Sequence, residues 1–285
     1  MTSDHLEWVN PKKIINHLGF TPLKSLGQNF LIEKNTLEFI NLKSEISKED
    51  IILEIGPGTG ALTHFLSQHN TPLLCIEYDK GLAQYLTHYF SKKEHVKIVH
   101  SDILESKNSL TSQVYDFTEI YSKRPLKIIS NLPYKILTPF LWILFCSFQK
   151  WEKCIFLVQK EFADKVTSIP KSKHYSPLSI FSHLFYDVKE LKTVGPKQFW
   201  PAPEVNSAII SCSQKKNRPT IPEGFNHFLK NIFSQRRKSM MKLLKKDYDQ
   251  NILMKAFELS RALPISRAEE LSPEQLLEFY HALSH

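Results

Sequence analysis

The stretch from Ile51 to Gly60 constrains the fold most, because it joins a short apolar run to three closely spaced glycines. The run from Ile51 to Ile55 has the composition of a strand that is buried on both faces of a parallel sheet. Gly56, Gly58 and Gly60 then favour a sharp turn, where the backbone can approach a ligand closely. The stretch therefore predicts a buried strand that ends at a binding turn.

A helix is predicted directly after this turn, from Ala61 to Leu66, with Thr59 as its N-cap. Its first N–H groups point into the crevice at the carboxyl end of the strand, where open α/β sheets bind cofactors. The glycine spacing from Gly56 to Ala61 also satisfies the loose dinucleotide pattern, so the turn alone leaves NAD open. No Lys-Ser or Lys-Thr pair follows the turn, which excludes a Walker-type phosphate loop.

Polar side chains follow three more predicted strands, which cover residues 73–77, 96–100 and 126–130. Glu77 lies 21 residues after Gly56, where a carboxylate can hold both ribose hydroxyls of a nucleoside. Asp102 can accept a hydrogen bond from the exocyclic amine of an adenine, and Asn131-Leu132-Pro133-Tyr134 forms a turn after the last strand. With these segments the chain resembles the S-adenosylmethionine-dependent methyltransferases that act on an amino group of a planar base.

The turn from Asn131 to Tyr134 carries the groups that such a reaction needs. An exocyclic adenine amine is a weak nucleophile, because its lone pair is delocalised into the ring. The amide oxygen of Asn131 and the carbonyl of Leu132 can each accept one N–H, which aims the lone pair at the sulfonium methyl. Pro133 keeps the preceding residue extended, and Tyr134 offers a stacking face to an extruded base. An isolated turn of this kind is often only structural, so the prediction depends on its place at a strand end.

The amino-acid composition limits which partners and which cellular compartment we expect for this protein. The chain has 285 residues and a net charge of +8, which favours a polyanionic partner only modestly. Its four cysteines contain no Cys-x-x-Cys pair, which predicts a reduced, metal-free protein of the cytoplasm. The most apolar run, Phe140 to Cys146, is shorter than the roughly 20 residues that cross a bilayer, so we expect no membrane partner.

Strands that alternate with helices predict an α/β fold with a Rossmann-like, doubly wound sheet. We place this methyltransferase domain at residues 1–212, with a strap from Lys24 to Leu31 that either packs on the core or covers a ligand. Two late strands, near 185–194 and 205–212, are expected to pair antiparallel at the sheet edge. A polar, proline-broken segment then predicts a linker into a smaller all-helical domain at residues 213–285.

One amphipathic helix is predicted from Phe225 to Lys246, with apolar side chains on one side and lysines on the other. Its basic residues are expected to bind RNA phosphates, namely Arg236, Arg237, Lys238 and Lys242. Of these, Arg236 falls on the apolar side of the predicted helix. The alternative is an ordinary solvated surface.

Six motifs occur in the order seen in the ribosomal RNA adenine dimethyltransferases, and the whole chain resembles that family. They are Leu26-Gly27-Gln28-Asn29-Phe30-Leu31, residues 54–60, residues 131–134, Gln159-Lys160-Glu161, Phe199-Trp200-Pro201-Ala202-Pro203 and Gln235-Arg236-Arg237-Lys238. The second half is similar to the bacterial small-subunit enzymes. The resemblance implies four methyl transfers from S-adenosylmethionine, two onto N6 of each of two adjacent adenosines in the hairpin near the 3′ end of 16S rRNA. It implies a small-subunit particle as substrate, late in ribosome maturation.

The resemblance also implies the cofactor contacts, and so assigns the strap the role of a lid. These contacts are Asn29, Leu31, Gly56, Glu77, Asp102 and Asn131, to which the close backbone of the glycine turn adds Gly58. Two departures from the family pattern bear on RNA contacts or loop geometry. They are Ser176-Pro177 after Tyr175, and Asn206 where the family usually has Asp. We expect a monomer without a metal.

Two other functions stay open at the level of sequence. One is a large-subunit rRNA adenine N6-methyltransferase of the macrolide-resistance type, in which Ile is more common at the position of Leu132. The other is a non-catalytic RNA-binding assembly factor. Intact Glu77, Asp102, Asn131 and Tyr134 argue against the latter.

Overall fold

The computed structural model describes residues 8–22 and 27–283. The helices are α1 (Pro11–Leu18), α2 (Lys34–Ser44), α3 (Ala61–Leu66), α4 (Lys80–Tyr89), α5 (Ser112–Ile120), α6 (Leu137–Cys146), α7 (Lys160–Val166), α8 (Pro177–Phe185), α9 (Phe225–Phe233), α10 (Met240–Leu244), α11 (Gln250–Leu259) and α12 (Pro273–Leu283). The strands are β1 (Phe30–Leu31), β2 (Ile51–Ile55), β3 (Leu73–Glu77), β4 (Val96–His100), β5 (Leu126–Asn131), β6 (Lys153–Gln159), β7 (Tyr186–Val194), β8 (Phe199–Trp200) and β9 (Ser207–Gln214).

A seven-stranded sheet runs in the order β4-β3-β2-β5-β6-β9-β7. The first five of these strands pair in parallel, and β9 runs antiparallel to β6. The chain builds outward from β2 to β4 on one side and from β5 to β6 on the other, so the strand order reverses between β2 and β5. The predicted Rossmann-like sheet is confirmed, and the two late strands lie side by side at its edge.

The strands that carry the predicted site are buried as their apolar sequences require. All five residues of β2 and of β3 are buried, as are the first five of β5. The apolar run around Phe140 is confirmed as part of a buried helix, α6. No helix within residues 8–22 and 27–283 combines the length and the apolar character needed to cross a membrane.

The start of α3 differs from the prediction, which had Thr59 as the N-cap. The N-cap is Gly60, whose φ of +79° lies in the left-handed region, and no side chain caps the helix. A Cβ on Gly60 would lie 2.7 Å from Leu86 Cδ2 and 3.1 Å from Phe90 Cε2. Glycine is needed here for two reasons, a left-handed backbone and a close approach to α4.

The strap forms more regular structure than the sequence predicts. Phe30 and Leu31 make the two-residue strand β1, which pairs antiparallel with Trp200 and Phe199 of β8. Both strap residues are buried. The predicted strap began at Lys24, and residues 23–26 lie outside the described part of the chain.

The chain divides into two compact units that differ from the predicted domains. The first contains residues 1–160 and 189–213, and the second contains residues 161–188 and 214–285. The break at 213/214 lies one residue from the predicted boundary, but the prediction placed residues 161–188 in the first domain. These residues belong to the second unit because their aromatic side chains pack there. For example, the rings of Phe181 in α8 and Phe225 in α9 lie 5.8 Å apart.

The predicted single helix from Phe225 to Lys246 is wrong, because the chain forms two helices, α9 and α10. Residues 234–239 between them form turns, and the backbone of Ser239 is extended where it caps α10. Phe228 of α9 and Phe257 of α11 both pack against Phe279 of α12, with ring centroids 6.1 and 4.8 Å apart. The break lets α9 turn its apolar side toward this aromatic core, while α10 buries Met240 and Leu244.

The left-handed turn at Gly60 leads to a test of stability. We expect Gly60→Ala to lower the free energy of unfolding by about 2–4 kcal/mol, since it adds left-handed strain to a clash with buried Leu86. Chemical denaturation of the protein without ligands measures this. Gly195→Ala is the matched control, because Gly195 has a φ of −76° and no atom within 4 Å of an added Cβ. Equal stability of the two variants would contradict the packing described here.

Candidate active site

Two adjoining pockets lie at the carboxyl edge of the parallel strands and contain all of the predicted catalytic and cofactor residues. They share Gln28, Gly56, Glu77 and Pro133. The first pocket is also lined by Asn29, Leu31, Gly58, Asn131, Leu132 and Tyr134. The second extends past the ends of β3 and β4 to Asp102. The carboxyl ends of parallel strands meet at one edge of a sheet, which is why residues so distant in sequence converge.

The glycine turn after β2 forms one wall of the first pocket. Gly56 and Gly58 both have a φ of +61°. A Cβ on Gly58 would lie 2.9 Å from the ring of Phe30, and a Cβ on Gly56 would lie 3.2 Å from Cγ of Pro133. The turn therefore fits between the strap and the Asn131–Tyr134 turn only because it carries no side chains at these positions.

Glu77 ends β3 and is held by backbone donors. Its Oε2 accepts a hydrogen bond of 2.9 Å from the N–H of Gly58, and its Oε1 accepts one of 2.8 Å from the N–H of Asp79. Only 5% of the residue is exposed, and this burial raises the pKa of the carboxyl, while the two N–H donors oppose the rise. The bonds fix the carboxylate between the glycine turn and the second pocket.

Asp102 lies at the end of β4 in the exposed rim of the second pocket. Its Oδ1 accepts a hydrogen bond of 2.9 Å from the N–H of Leu104, which orients the carboxylate. Tyr78 and Ile103 line the same pocket and add apolar surface to it. Neither residue is predicted from the sequence to line the site, although each directly follows a predicted strand-end acid.

The side-chain amide of Asn131 has a defined orientation. Its Nδ2 donates a hydrogen bond of 3.2 Å to the backbone oxygen of Asn29 in the strap. A carbonyl oxygen can only accept, so the atom that faces it must be the NH₂ group of the amide. The amide oxygen is therefore the acceptor that this bond leaves for a ligand.

The rest of the Asn131–Tyr134 turn is held by the neighbouring strands. The N–H of Leu132 donates to the oxygen of Leu157 in β6 at 3.1 Å. The hydroxyl of Tyr134 lies 3.0 Å from Oγ of Ser207 at the start of β9. Burial raises the pKa of this phenol, and the contact with Ser207 opposes the rise. The ring of Tyr134 is thus tethered at its far end and lines the first pocket.

Glu54 is a pocket residue that is not predicted from the sequence to have a role of its own. It lies in β2, is 1% exposed and lines the first pocket. Its Oε2 accepts hydrogen bonds from Oγ1 of Thr63 at 2.7 Å and from Sγ of Cys75 at 3.7 Å. Burial raises the pKa of Glu54 to about 8, against the opposing effect of these two donors. A carboxyl inside an otherwise apolar strand was the sequence signal that could have identified it.

The predicted RNA-binding residues do not form one helical face. Arg237 and Lys238 are exposed in the turns between α9 and α10, and Lys242 is exposed on α10. Arg236 instead donates to Oε2 of Glu269 from Nε at 2.7 Å, and to the backbone oxygens of Lys173 and Ser172 at 2.7 and 3.3 Å. Its guanidinium is therefore occupied inside the second unit, which explains its place on the apolar side of the predicted helix.

The part of the chain that the structure describes contains no cluster of three or more His, Cys, Asp or Glu side chains arranged to hold a metal ion. Within the same residues all four cysteines are free thiols.

Comparisons with known proteins bear on the identity of this site. The model of the ribosomal RNA adenine dimethylase family matches residues 19–285. A ribosomal RNA small subunit methyltransferase A from Sulfurihydrogenibium sp. (strain YO3AOP1) is 36% identical over 263 residues, which are 91% of this chain and 95% of that protein. A protein of the same name from Ligilactobacillus salivarius (strain UCC118) is 35% identical over 295 residues, 99% of this chain and 98% of that protein.

Solved structures share the fold at lower identity. A dimethyladenosine transferase from Plasmodium falciparum has a TM-score of 0.70 and 22% identity, over 88% of this chain and 95% of that one. The 23S rRNA methyltransferase ErmE has a TM-score of 0.65 and 21% identity, over 90% of this chain and 100% of that one. With a family match over nearly its whole length and an active-site cleft built from the motifs of that family, the chain belongs to the ribosomal RNA adenine dimethylases, which are S-adenosylmethionine-dependent methyltransferases.

Proposed function

We propose that this protein transfers methyl groups from S-adenosylmethionine to N6 of two adjacent adenosines in the hairpin near the 3′ end of 16S rRNA. The substrate is the small ribosomal subunit late in its assembly, and the enzyme acts in the cytoplasm as a monomer. The small-subunit names of its relatives favour this substrate over large-subunit RNA. One observation supports the chemistry above all others. The amide of Asn131 is oriented by the strap at the edge where the strand-end acids line the adjoining pockets.

The residues present fit this cofactor. Gly56 and Gly58 line the first pocket with backbone that carries no side chain, so a ligand can lie against it. Glu77 would hold the ribose and Asp102 the adenine, with Tyr78 and Ile103 beside the ring. Asn29 and Leu31 of the strap would cover the remaining part. When bound, the cofactor supplies an electrophilic methyl group on its sulfonium.

The protein's contribution to transfer is to hold and orient the adenine amine. The amide oxygen of Asn131 and the carbonyl of Leu132 each accept one N–H of that amine, which localises the lone pair on nitrogen. Tyr134 stacks on the extruded base, and its bond to Ser207 keeps the ring in position. A strong base is unnecessary, because the amine becomes acidic once it is methylated and can lose its proton to water.

We place the RNA-binding surface in the second unit, at Arg237, Lys238 and Lys242. These side chains are exposed and basic, as phosphate contacts require. Arg236 takes a different part in this proposal. Its bonds to Glu269 and to the backbone at 172–173 hold the basic turn in place. Arg236 therefore positions Arg237 and Lys238, which contact the phosphates.

The first test removes the acceptor amide. We expect Asn131→Ala to lower the rate of dimethylation at least about a hundredfold, since the amine loses one of its two acceptors and its orientation. Affinity for RNA should be retained, because no cation is removed. Mass spectrometry of 16S rRNA from under-methylated small subunits measures transfer, and filter binding measures affinity. Asn108→Ala, a change on the exposed surface, is the matched control. Undiminished transfer by Asn131→Ala would contradict the role of Asn131.

The second test separates RNA contact from positioning. We expect Arg237→Ala and Lys238→Ala each to weaken RNA binding and to reduce the slope of log affinity against log salt by about 1, with no loss of stability. Arg236→Ala should instead lower the free energy of unfolding by about 2 kcal/mol, because Glu269 and two backbone oxygens lose their donor.

Salt titrations of RNA binding and chemical denaturation of the three variants provide both readouts. Arg236→Lys serves as a further control, because it keeps the charge but cannot reach all three acceptors. If Arg236 has the positioning role, any loss of RNA affinity in Arg236→Lys should be accompanied by a loss of stability. A fully stable Arg236→Ala protein with a reduced salt slope would contradict it.

A further inference from the structure

The carboxyl of Glu54 has no part in the reaction described above, although it lines the cleft in which that reaction takes place. It is almost completely buried, and its Oε2 is bonded to Thr63 and Cys75. A buried carboxyl without a cationic partner is costly in any fold, and such groups cluster at functional sites. Packing alone therefore does not account for a carboxyl at position 54.

The charged side chains that line the first pocket are all acidic. The described residues that line the first pocket include the carboxyls of Glu54 and Glu77 and no Lys, Arg or His. The titratable groups that face Glu54 are Cys75 and Glu77 on β3, while α3 contributes only the hydroxyl of Thr63. Burial raises the pKa of Cys75 well above its usual value, so this thiol is neutral. Neither neighbour supplies positive charge to Glu54.

This environment suits a cationic ligand and disfavours a neutral one. S-adenosylmethionine carries a sulfonium, an ammonium and a carboxylate, which sum to one positive charge. Its product, S-adenosylhomocysteine, has lost the sulfonium charge and is neutral overall. Charges interact more strongly in a buried cleft than in water, so two carboxyls can distinguish these two molecules by charge alone.

We propose, building on the function assigned above, that Glu54 selects the cationic cofactor over its neutral product by giving up a proton when the cofactor binds. The proton passes from the Glu54 carboxyl to solvent, and the carboxylate that remains offsets the positive charge of the ligand. After methyl transfer the sulfonium charge is gone, the carboxylate takes a proton back, and the product is held less tightly. Glu54 is thus a specificity residue for the cofactor in this cleft.

The pH dependence follows from the same charges. The carboxyl titrates at about 8 in the free protein, so it is mostly protonated at neutral pH. A bound cation favours the carboxylate and lowers its pKa, and so protons are released on binding near pH 7. If the ionised form binds the cofactor, affinity should rise about fivefold from pH 7 to pH 8, as the ionised fraction grows.

Titration calorimetry of the full-length protein tests this proposal. S-adenosylmethionine and S-adenosylhomocysteine are each titrated at pH 7 and pH 8, in two buffers of different ionisation enthalpy, which gives the number of protons released. For the unaltered protein we expect more protons released with S-adenosylmethionine than with the product, and a preference for the cofactor that grows with pH. Equal proton release with the two ligands would overturn the proposal. This comparison needs no variant, so a failure to fold cannot obscure it.

The variant Glu54→Gln assigns the proton to its residue. Glutamine has nearly the same shape and can still bond to Thr63. We expect fewer protons to be released when S-adenosylmethionine binds this variant. Its preference for the cofactor over the product should lose the part of the pH dependence that Glu54 supplies. The cofactor's own amino group contributes equally in both proteins. Glu49→Gln removes the same charge from an exposed position and should behave like the unaltered protein. Proton release by Glu54→Gln equal to that of the unaltered protein would refute the assignment to Glu54.

The same measurements distinguish a failure of this proposal from a failure of the proposed function. If the unaltered protein binds S-adenosylmethionine and methylates adenosine without proton release, only the role of Glu54 fails. If it does not bind S-adenosylmethionine at all, the proposed function fails as well.

Discussion

The hydrogen bond from the N–H of Gly58 to the carboxylate of Glu77 is the interaction on which the active site depends. It joins the turn after β2 to the end of β3, and so fixes a buried acid beside a backbone that carries no side chain. Gly58 must be glycine for this, because its backbone is left-handed and the ring of Phe30 occupies the place of a Cβ. The strap, the glycine turn and the carboxylate of Glu77 therefore depend on one another.

The fold contains two groups of buried ionisable side chains, one paired within the protein and one that lines the first pocket. Toward the start of the central strands, Nζ of Lys127 lies 2.9 Å from Oδ2 of Asp50, and both side chains are more than 90% buried. The first pocket contains two buried carboxyls, Glu54 and Glu77, and no cation among the described residues that line it. The Lys127–Asp50 pair is neutralised within the protein. In the role proposed for Glu54, the carboxyl instead ionises when a cationic ligand binds.

Much of the sheet and the cleft could be predicted, because the signals are local. Buried parallel strands have apolar sequences, and β3 and β5 end at polar residues whose positions in the sheet follow from topology. The ends of β2, β3 and β4 agree with the prediction to the residue, and Glu77, Asp102 and Asn131 lie where strand order places them. The orientation of the Asn131 amide could not be foreseen, since its partner is a backbone oxygen 102 residues away.

The wrong predictions share a cause, which is long-range packing that no local pattern records. Thr59 is a residue type that commonly caps helices, but the N-cap is Gly60, whose left-handed backbone and close approach to Leu86 require glycine. Residues 225–246 have the periodicity of one helix, yet the aromatic core around Phe279 favours two. Arg236 resembles its basic neighbours in sequence, and only the fold brings Glu269 to it.

Mapping of methylated adenines on ribosomal RNA tests the central claim most directly. Small and large subunits that lack these modifications are incubated with the protein and S-adenosylmethionine, and the digested RNA is analysed by mass spectrometry. The account predicts N6,N6-dimethyladenosine at two adjacent positions near the 3′ end of 16S rRNA and none in the large subunit. Methylation confined to large-subunit RNA, or no methylation of either RNA, would contradict it.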